Sequence, residues 1–146
     1  MKFKNAHAFR RPVETEDATL KITVVYTSDE ATLAAMREAA VLAGSLQAKV
    51  TLVYPQIVPY PRPITTSPVE PAFTERRLRN LASQVPLDTD IHICLCRDPQ
   101  DALNTELRPH SVVVVGGRKR WWPTGEMSLA RKLRRAGHEV IFTETE

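Results

Sequence analysis

Cysteine is nearly absent from this sequence. The 146 residues hold two, Cys94 and Cys96, one residue apart, and a bridge between neighbours that close is badly strained. They cannot build a disulfide framework or a Cys-rich zinc site, so the expected setting is a reducing one, the cytoplasm. Long apolar runs are missing too. None approaches the ~20 residues of a membrane-spanning helix, and the opening Met1-Lys2-Phe3-Lys4-Asn5 lacks the apolar core of a secretory leader. Catalytic signatures are the third absence: there is no Gly-x-Ser-x-Gly, no His-Glu-x-x-His and no Walker loop. His7, His92, His110 and His138 are scattered, and no catalytic constellation stands out. The expectation is a protein that binds rather than an enzyme.

Acidic residues are scarce in one region. Between Arg108 and Ala136 lie eight Lys/Arg and a single acid, Glu126, a net +7. The whole chain carries +3, which leaves −4 elsewhere. Such a stretch is a solvated basic face or a surface for phosphate, nucleic acid or an acidic partner.

The length suits one domain with a sizeable core. Residues 1–18 are polar without a clear period and read as an N-terminal arm, whose order the sequence leaves open; 19–146 form the domain. Lys21 to Thr27 is short and β-branched, the pattern of a strand. Thr27-Ser28-Asp29-Glu30 fits a capping box with Thr27 as the cap. The alanine-rich helix that follows turns Leu33, Met36, Ala40 and Ala43 to one face and stops at Gly44. Lys49 to Tyr54 is a second strand. Six prolines between Pro55 and Pro71 exclude regular helix or central strand through that length and predict an extended surface loop. Ser67 then caps a helix, with Pro68 at its first position, Glu70 closing a capping box, and Phe73, Leu78 and Leu81 as core candidates up to about Ser83.

Ile91 to Cys96 is a third strand, and Asp98-Pro99 opens a helix that ends near Pro109. Ser111 to Val115 is a fourth strand, apolar from Val112 onward and so buried on both faces. Thr124 caps a last helix with Leu129, Leu133 and Ala136 inward, Gly137 stops it, and Glu139 to Thr143 is a fifth strand. Strands alternating with helices imply an α/β fold with an open, mostly parallel five-stranded sheet and helices on both faces. Asp90, His92, Cys94, Cys96 and Asp98 share one face of the third strand, but neighbours along one strand are too far apart for a compact tetrahedral site, so no metal is expected.

This arrangement resembles the universal stress proteins. The likeness runs in order through residues 20 to 143. It is carried by Ile22 to Glu30, by Ala48 to Tyr54, by Asp98-Pro99-Gln100-Asp101-Ala102-Leu103, and by Ser111-Val112-Val113-Val114-Val115-Gly116-Gly117-Arg118. The resemblance implies strand order 3-2-1-4-5, a Rossmann-like sheet of the adenine-nucleotide α-hydrolase-like kind. The first and fourth strands are then neighbours, and ligands bind at such a switch point outside the carboxyl ends of the strands. That location brings Thr27, Ser28 and Asp29 opposite Gly116 to Trp122.

The nucleotide-binding branch of that family carries Gly, two residues, Gly, nine residues, Gly, then Ser or Thr. Gly116 stands for the first glycine, while the second position falls on Lys119 and the third on Leu129. Gly125 and Ser128 substitute only in a loop about four residues shorter than that pattern. The family's aspartate at the end of its first strand is replaced here by Thr27. The reading is therefore a branch with an eroded ATP motif. Its nucleotide residues would be Thr27, Ser28, Asp29, Gly116, Gly117, Arg118, Lys119, Gly125 and Ser128, and its cofactor, if any, ATP or another adenine nucleotide.

The resemblance also implies a regulatory, non-enzymatic role in a stress response, exerted by binding a ligand or a protein. It implies a homodimer formed through the last strand, at Val140, Ile141 and Phe142, since an exposed edge invites pairing. An alternative reading makes Arg118, Lys119, Arg120, Trp121, Trp122, Arg131 and Arg135 a basic-aromatic patch for a polyanion or an acidic partner. No RNA- or DNA-binding signature accompanies that patch, and neither nucleic acid nor a membrane is the expected partner.

Overall fold

The structure, a computed structural model, describes residues 2–5, 20–61, 63–65, 70–118 and 125–145. Its elements are β1 (Lys2–Asn5), β2 (Lys21–Val25), α1 (Asp29–Leu46), β3 (Lys49–Ile57), α2 (Pro71–Ala82), β4 (Thr89–Cys96), α3 (Pro99–Glu106), β5 (Val112–Arg118), α4 (Gly125–Arg135) and β6 (Glu139–Thr145). The sheet runs β1-β4-β3-β2-β5-β6, and every pairing is parallel. The five strands read from the sequence stand in the order 3-2-1-4-5. A sixth, β1, lies on the outer edge of β4 within the segment read as an arm, and residues 6–19 lie outside the described ones.

The core has two halves because successive strand residues point to opposite faces. On one face Ile22, Val24, Leu52, Ile91, Ile93 and Val114 pack with Ala35, Met36 and Ala39 of α1 and Leu78 of α2. On the other, Val25, Val53, Cys94, Cys96, Val113 and Val115 meet Ala102 and Leu103 of α3 and Leu133 of α4. Helices thus cover both faces, and each buried Leu, Ile or Val side chain contributes roughly 1.5–3 kcal/mol.

Local chemistry departs from the sequence reading at several points. Ser28, not Thr27, caps α1: its hydroxyl accepts from the N–H of Ala31, which frees Thr27 for another role. The helix runs past Gly44 to Leu46, and Gln47 takes the left-handed position at φ 52°. The N–H groups of Gln47 and Ala48 both reach the Ala43 carbonyl, so the last turn closes without glycine. At the end of α4 the expected stop holds. Gly137 has φ 98°, and the bonds His138 N–H to Leu133 O and Gly137 N–H to Arg134 O form the paired closure of a left-handed terminus.

β3 continues through Pro55 to Ile57, against the expected loop start at Pro55. Its pairing with β2 ends at Val53 while that with β4 goes on to Ile57. Pro55 therefore sits on a local edge, where a missing N–H is tolerated. α2 begins at Pro71, with Glu70 at the cap position making no side-chain bond. Ser67 and Pro68, expected to open this helix, lie outside the described residues, as does Thr124. Phe73 is half exposed rather than core, while Leu78 and Leu81 are buried. Ala136 is exposed beyond the end of α4, and Ala130 takes the inward place beside Leu133.

β5 extends through Gly116 and Gly117 to Arg118, in register with Thr143, Glu144 and Thr145 of β6. The fourth strand was expected to end at Val115. Both glycines are buried strand residues, and the reason is close approach. A Cβ on Gly116 would lie 2.1 Å from the Ala31 carbonyl oxygen in the first turn of α1. One on Gly117 would lie 2.6 Å from Cβ of Glu126 in the first turn of α4.

Candidate functional site

At the carboxyl ends of the strands a cleft of about 590 Å³ opens at the switch point. The ends of β2 and β3 supply Val25, Tyr26, Thr27, Tyr54 and Pro55. The start of α3 supplies Asp98, Pro99 and Gln100, and α4 supplies Gly125, Glu126, Ser128, Leu129 and Lys132. The location follows from topology. α1 follows β2 on one face and α4 follows β5 on the other, so the two helices diverge and leave a crevice at the strand ends.

The aromatic wall is held in place. The Tyr26 and Tyr54 rings are in contact, centroids 4.7 Å apart and planes 46° to each other. The Tyr26 hydroxyl donates to Asp29 in the first turn of α1 and accepts from the Arg77 guanidinium at 2.6 Å. Arg77 also meets the Asp29 carboxylate at 3.3 Å. Burial, reinforced by the bond to Asp29, pushes the Tyr26 phenol up to about 12. Thr27 spans the switch point: its hydroxyl donates to the Gly116 carbonyl, and its N–H donates to the Thr32 hydroxyl.

The opposite wall is polar. Asp98 caps α3 by accepting from the Gln100 N–H. The Gln100 side-chain N–H donates to Asn104 at 3.2 Å. Its Oε1 is shut off from solvent and has no hydrogen-bond partner among the described residues. Cys96, next to this wall, is buried, and its thiol is raised to about 11 by burial and then by Asp98 and Asp101. It stays protonated at neutral pH.

The residues read as one nucleotide loop are divided. Thr27, Gly125 and Ser128 line the cleft. Ser28, Gly117 and Arg118 instead line a separate groove of about 290 Å³, with Glu30, Ala31, Glu126 and Thr145. Gly116 is buried beneath Ala31, and Asp29 is engaged with Tyr26 and Arg77. Lys119 lies outside the described residues. So do Arg120, Trp121 and Trp122 of the proposed patch, whose Arg118, Arg131 and Arg135 are exposed. Val140, Ile141 and Phe142 are half-buried on β6, at the sheet edge opposite β1.

The sequence reading missed Tyr26, Tyr54, Gln100 and Lys132 as parts of this site. A signal for two of them was available. Tyr26 and Tyr54 both stand at the carboxyl end of strands that the implied order makes neighbours, which is where a ligand lies in such sheets. Gln100 and Lys132 carried none, since only the packing of α3 and α4 on one face brings them to one cleft. Among the described residues no group of three or more His, Cys, Asp or Glu could hold a metal, and no helix is long and apolar enough to cross a membrane.

No protein-family model matches the sequence, and comparison with curated proteins found no significant relative. Solved structures do match. A universal stress protein from Archaeoglobus fulgidus is similar at a TM-score of 0.56 and 15% identity, over 86% of this chain and 93% of that one. The universal stress protein UspA from Lactobacillus plantarum is similar at 0.54 and 18%, over 88% of this chain and all of that one. A macrolide-efflux protein from Streptococcus pneumoniae is similar at 0.50 and 14%, over 95% of this chain, which spans about half (55%) of that protein's length. At these identities the likeness is one of fold: the chain has the fold of the universal stress proteins.

Proposed function

We propose that this chain is a divergent universal stress protein, a non-enzymatic regulatory protein that acts by binding, and that its switch-point cleft takes an adenine nucleoside or nucleotide. One observation carries the reading: a crevice of about 590 Å³ pairs an aromatic wall, Tyr26 and Tyr54, with the first turns of α4. That volume is in the range of small-molecule sites. A planar base would lie against the tyrosine rings and the apolar edges of Val25, Pro55 and Leu129. Ser128, Lys132 and the amino end of α4 would face the ribose or phosphate end, where helix N–H groups favour an acceptor. The similarity in fold to universal stress proteins supports the same assignment, and the proposal includes a cytoplasmic setting and a homodimer paired through Val140, Ile141 and Phe142 of β6.

The test is calorimetric titration with adenosine, AMP, and ATP with magnesium, beside thermal unfolding with each. A ligand that prefers the native state raises the melting temperature. Tyr54→Ala and Ser128→Ala should each weaken binding by roughly tenfold, the effect of losing one good contact. The reading fails if none of the three ligands gives heat or a thermal shift and none is found in the purified protein.

A second reading rests on the exposure of Arg118, Arg131 and Arg135. These cations, with the basic sequence around Lys119, would hold a polyanion or an acidic partner. Retention on heparin that falls steeply with salt supports it, and unchanged elution of a variant with Arg131→Glu and Arg135→Glu removes it.

A further inference from the structure

The cleft is lined by donors on α4, Ser128 and Lys132, and by acceptors on the wall that α3 forms. The Tyr26 hydroxyl proton is committed to Asp29 and the Thr27 hydroxyl proton to Gly116. The polar wall presents acceptors: the carboxylates of Asp98 and Glu126 and the amide of Gln100. Of these, Gln100 stands apart. Its N–H is engaged by Asn104 one turn along α3, which orients the amide, and its Oε1 has no partner among the described residues. A covered carbonyl without a donor is uncommon in folded proteins and marks a position where a partner is missing. Gln100 is half-buried and lines the cleft; its Oε1 is covered, so meeting an arriving ligand requires the side chain to turn away from Asn104.

We propose that Gln100 is a specificity-determining residue of the cleft, its Oε1 accepting from an amino group on the ring of a planar heteroaromatic ligand. The proposal rests on the cleft being the ligand site proposed above. It adds the ligand class: aminopurine-type rings over rings of the same shape that lack the amino donor. The free-energy source is the unsatisfied acceptor, since a site with a buried unpaired polar group penalises the ligand that leaves it unpaired.

The probes are adenosine and purine riboside, which differ by one amino group, titrated into the full chain. Adenosine should bind roughly tenfold more tightly, the effect of one buried hydrogen bond. Gln100→Leu should bring the two to equal affinity. Gln100→Glu, which keeps an acceptor at that place, should preserve the preference, and circular dichroism establishes that both variants fold. Equal binding of the two ligands by the unaltered protein overturns the proposal while leaving the cleft as the ligand site. So does a preference that survives Gln100→Leu or disappears in Gln100→Glu, the latter because the amide then serves as a donor. Absence of binding by either nucleoside or by any nucleotide removes both the proposal and the reading beneath it.

Discussion

Two hollows share Glu126 as a wall. On one side is the cleft of about 590 Å³ with Tyr26, Tyr54, Gln100 and Lys132; on the other is the groove of about 290 Å³ with Ser28, Glu30, Gly117 and Arg118. Residues close in sequence are sorted into different hollows: Tyr26 and Thr27 line the cleft, and Ser28, the next residue, lines the groove. The sheet does the sorting. α1 follows β2 on one face and α4 follows β5 on the other, so proximity in sequence does not survive the switch point. The comparison teaches that the two glycines of β5 serve the groove and the packing, while the cleft owes its chemistry to residues from other elements.

The glycines give the largest expected effect. Gly116→Ala sets a Cβ against the Ala31 backbone, which cannot move without displacing the start of α1, and should destabilise by about 3 kcal/mol. Gly117→Ala meets the Glu126 side chain and the Phe142 ring edge, which can shift, and should cost about 1–2 kcal/mol. Denaturant unfolding of both variants reads the difference. If Gly117→Ala were the worse, the packing of α1 on β5 would not be the tighter of the two contacts.

The helix caps come next. Ser28→Ala removes the bond to Ala31 on the groove side and should cost about 1 kcal/mol. Asp98→Ala removes a longer, exposed bond of 3.4 Å on the cleft side and should cost about 0.5 kcal/mol. Equal losses from the two would erase the asymmetry between the hollows.

The pH profile separates the two ends of the sheet. Near the cleft, Tyr26 rises from 10.0 to about 12 and Cys96 from 9.0 to about 11. Both bind their protons more tightly folded than unfolded, so their contribution is present below pH 9 and is lost as pH rises through 11 and 12. Unfolding midpoints should fall over that window, and less so in Tyr26→Phe. At the opposite end His138 is lowered from 6.5 by burial and by His110. It accepts from the Ser111 N–H through Nδ1, so the neutral ring is the one that fits. The unfolded chain then binds more protons, and stability present above pH 6.5 is lost as pH falls below it. His138→Asn, which keeps an acceptor near the same place, should flatten that acid slope, the smallest effect of the set.

Legibility followed the length scale of the interaction. Five of the six described strands were plain because short β-branched or continuously apolar runs are read locally, while β1 lay in the segment read as an arm. Among the caps, Asp98 of α3 was read correctly, Thr27 stood one residue from Ser28, and α2 begins at Pro71 instead of Pro68. Ser28 and Thr27 are chemically equivalent as caps, and only the bond from Thr27 to Gly116 decides between them. The helix runs on through Gly44, Ser45 and Leu46, all exposed, before Gln47 takes the left-handed position. Phe73 was read inward from its spacing, but it lies on the outward side of the first turn of α2, where Thr74 is the buried residue.

The candidate site was legible as a place and not as a set of residues. The switch point follows from strand order, and Thr27, Gly125 and Ser128 do line the cleft there. Ser28, Gly117 and Arg118 point to the groove instead, because side-chain direction at a strand end depends on register and on which face receives the next helix.

By itself the sequence determined the alternation of strands and helices, the doubly covered parallel sheet, the stop at Gly137 and the capping of α3 by Asp98, each of which is decided by neighbours within a few residues. Tertiary structure alone decided that Gly116 and Gly117 are spacers beneath α1 and α4. It alone set Tyr26 between Asp29 and Arg77, and brought Gln100 and Lys132 to one cleft. Those outcomes depend on which surfaces meet after helices pack on opposite faces of a twisted sheet, and contacts across 50 or 90 residues leave no local pattern to read.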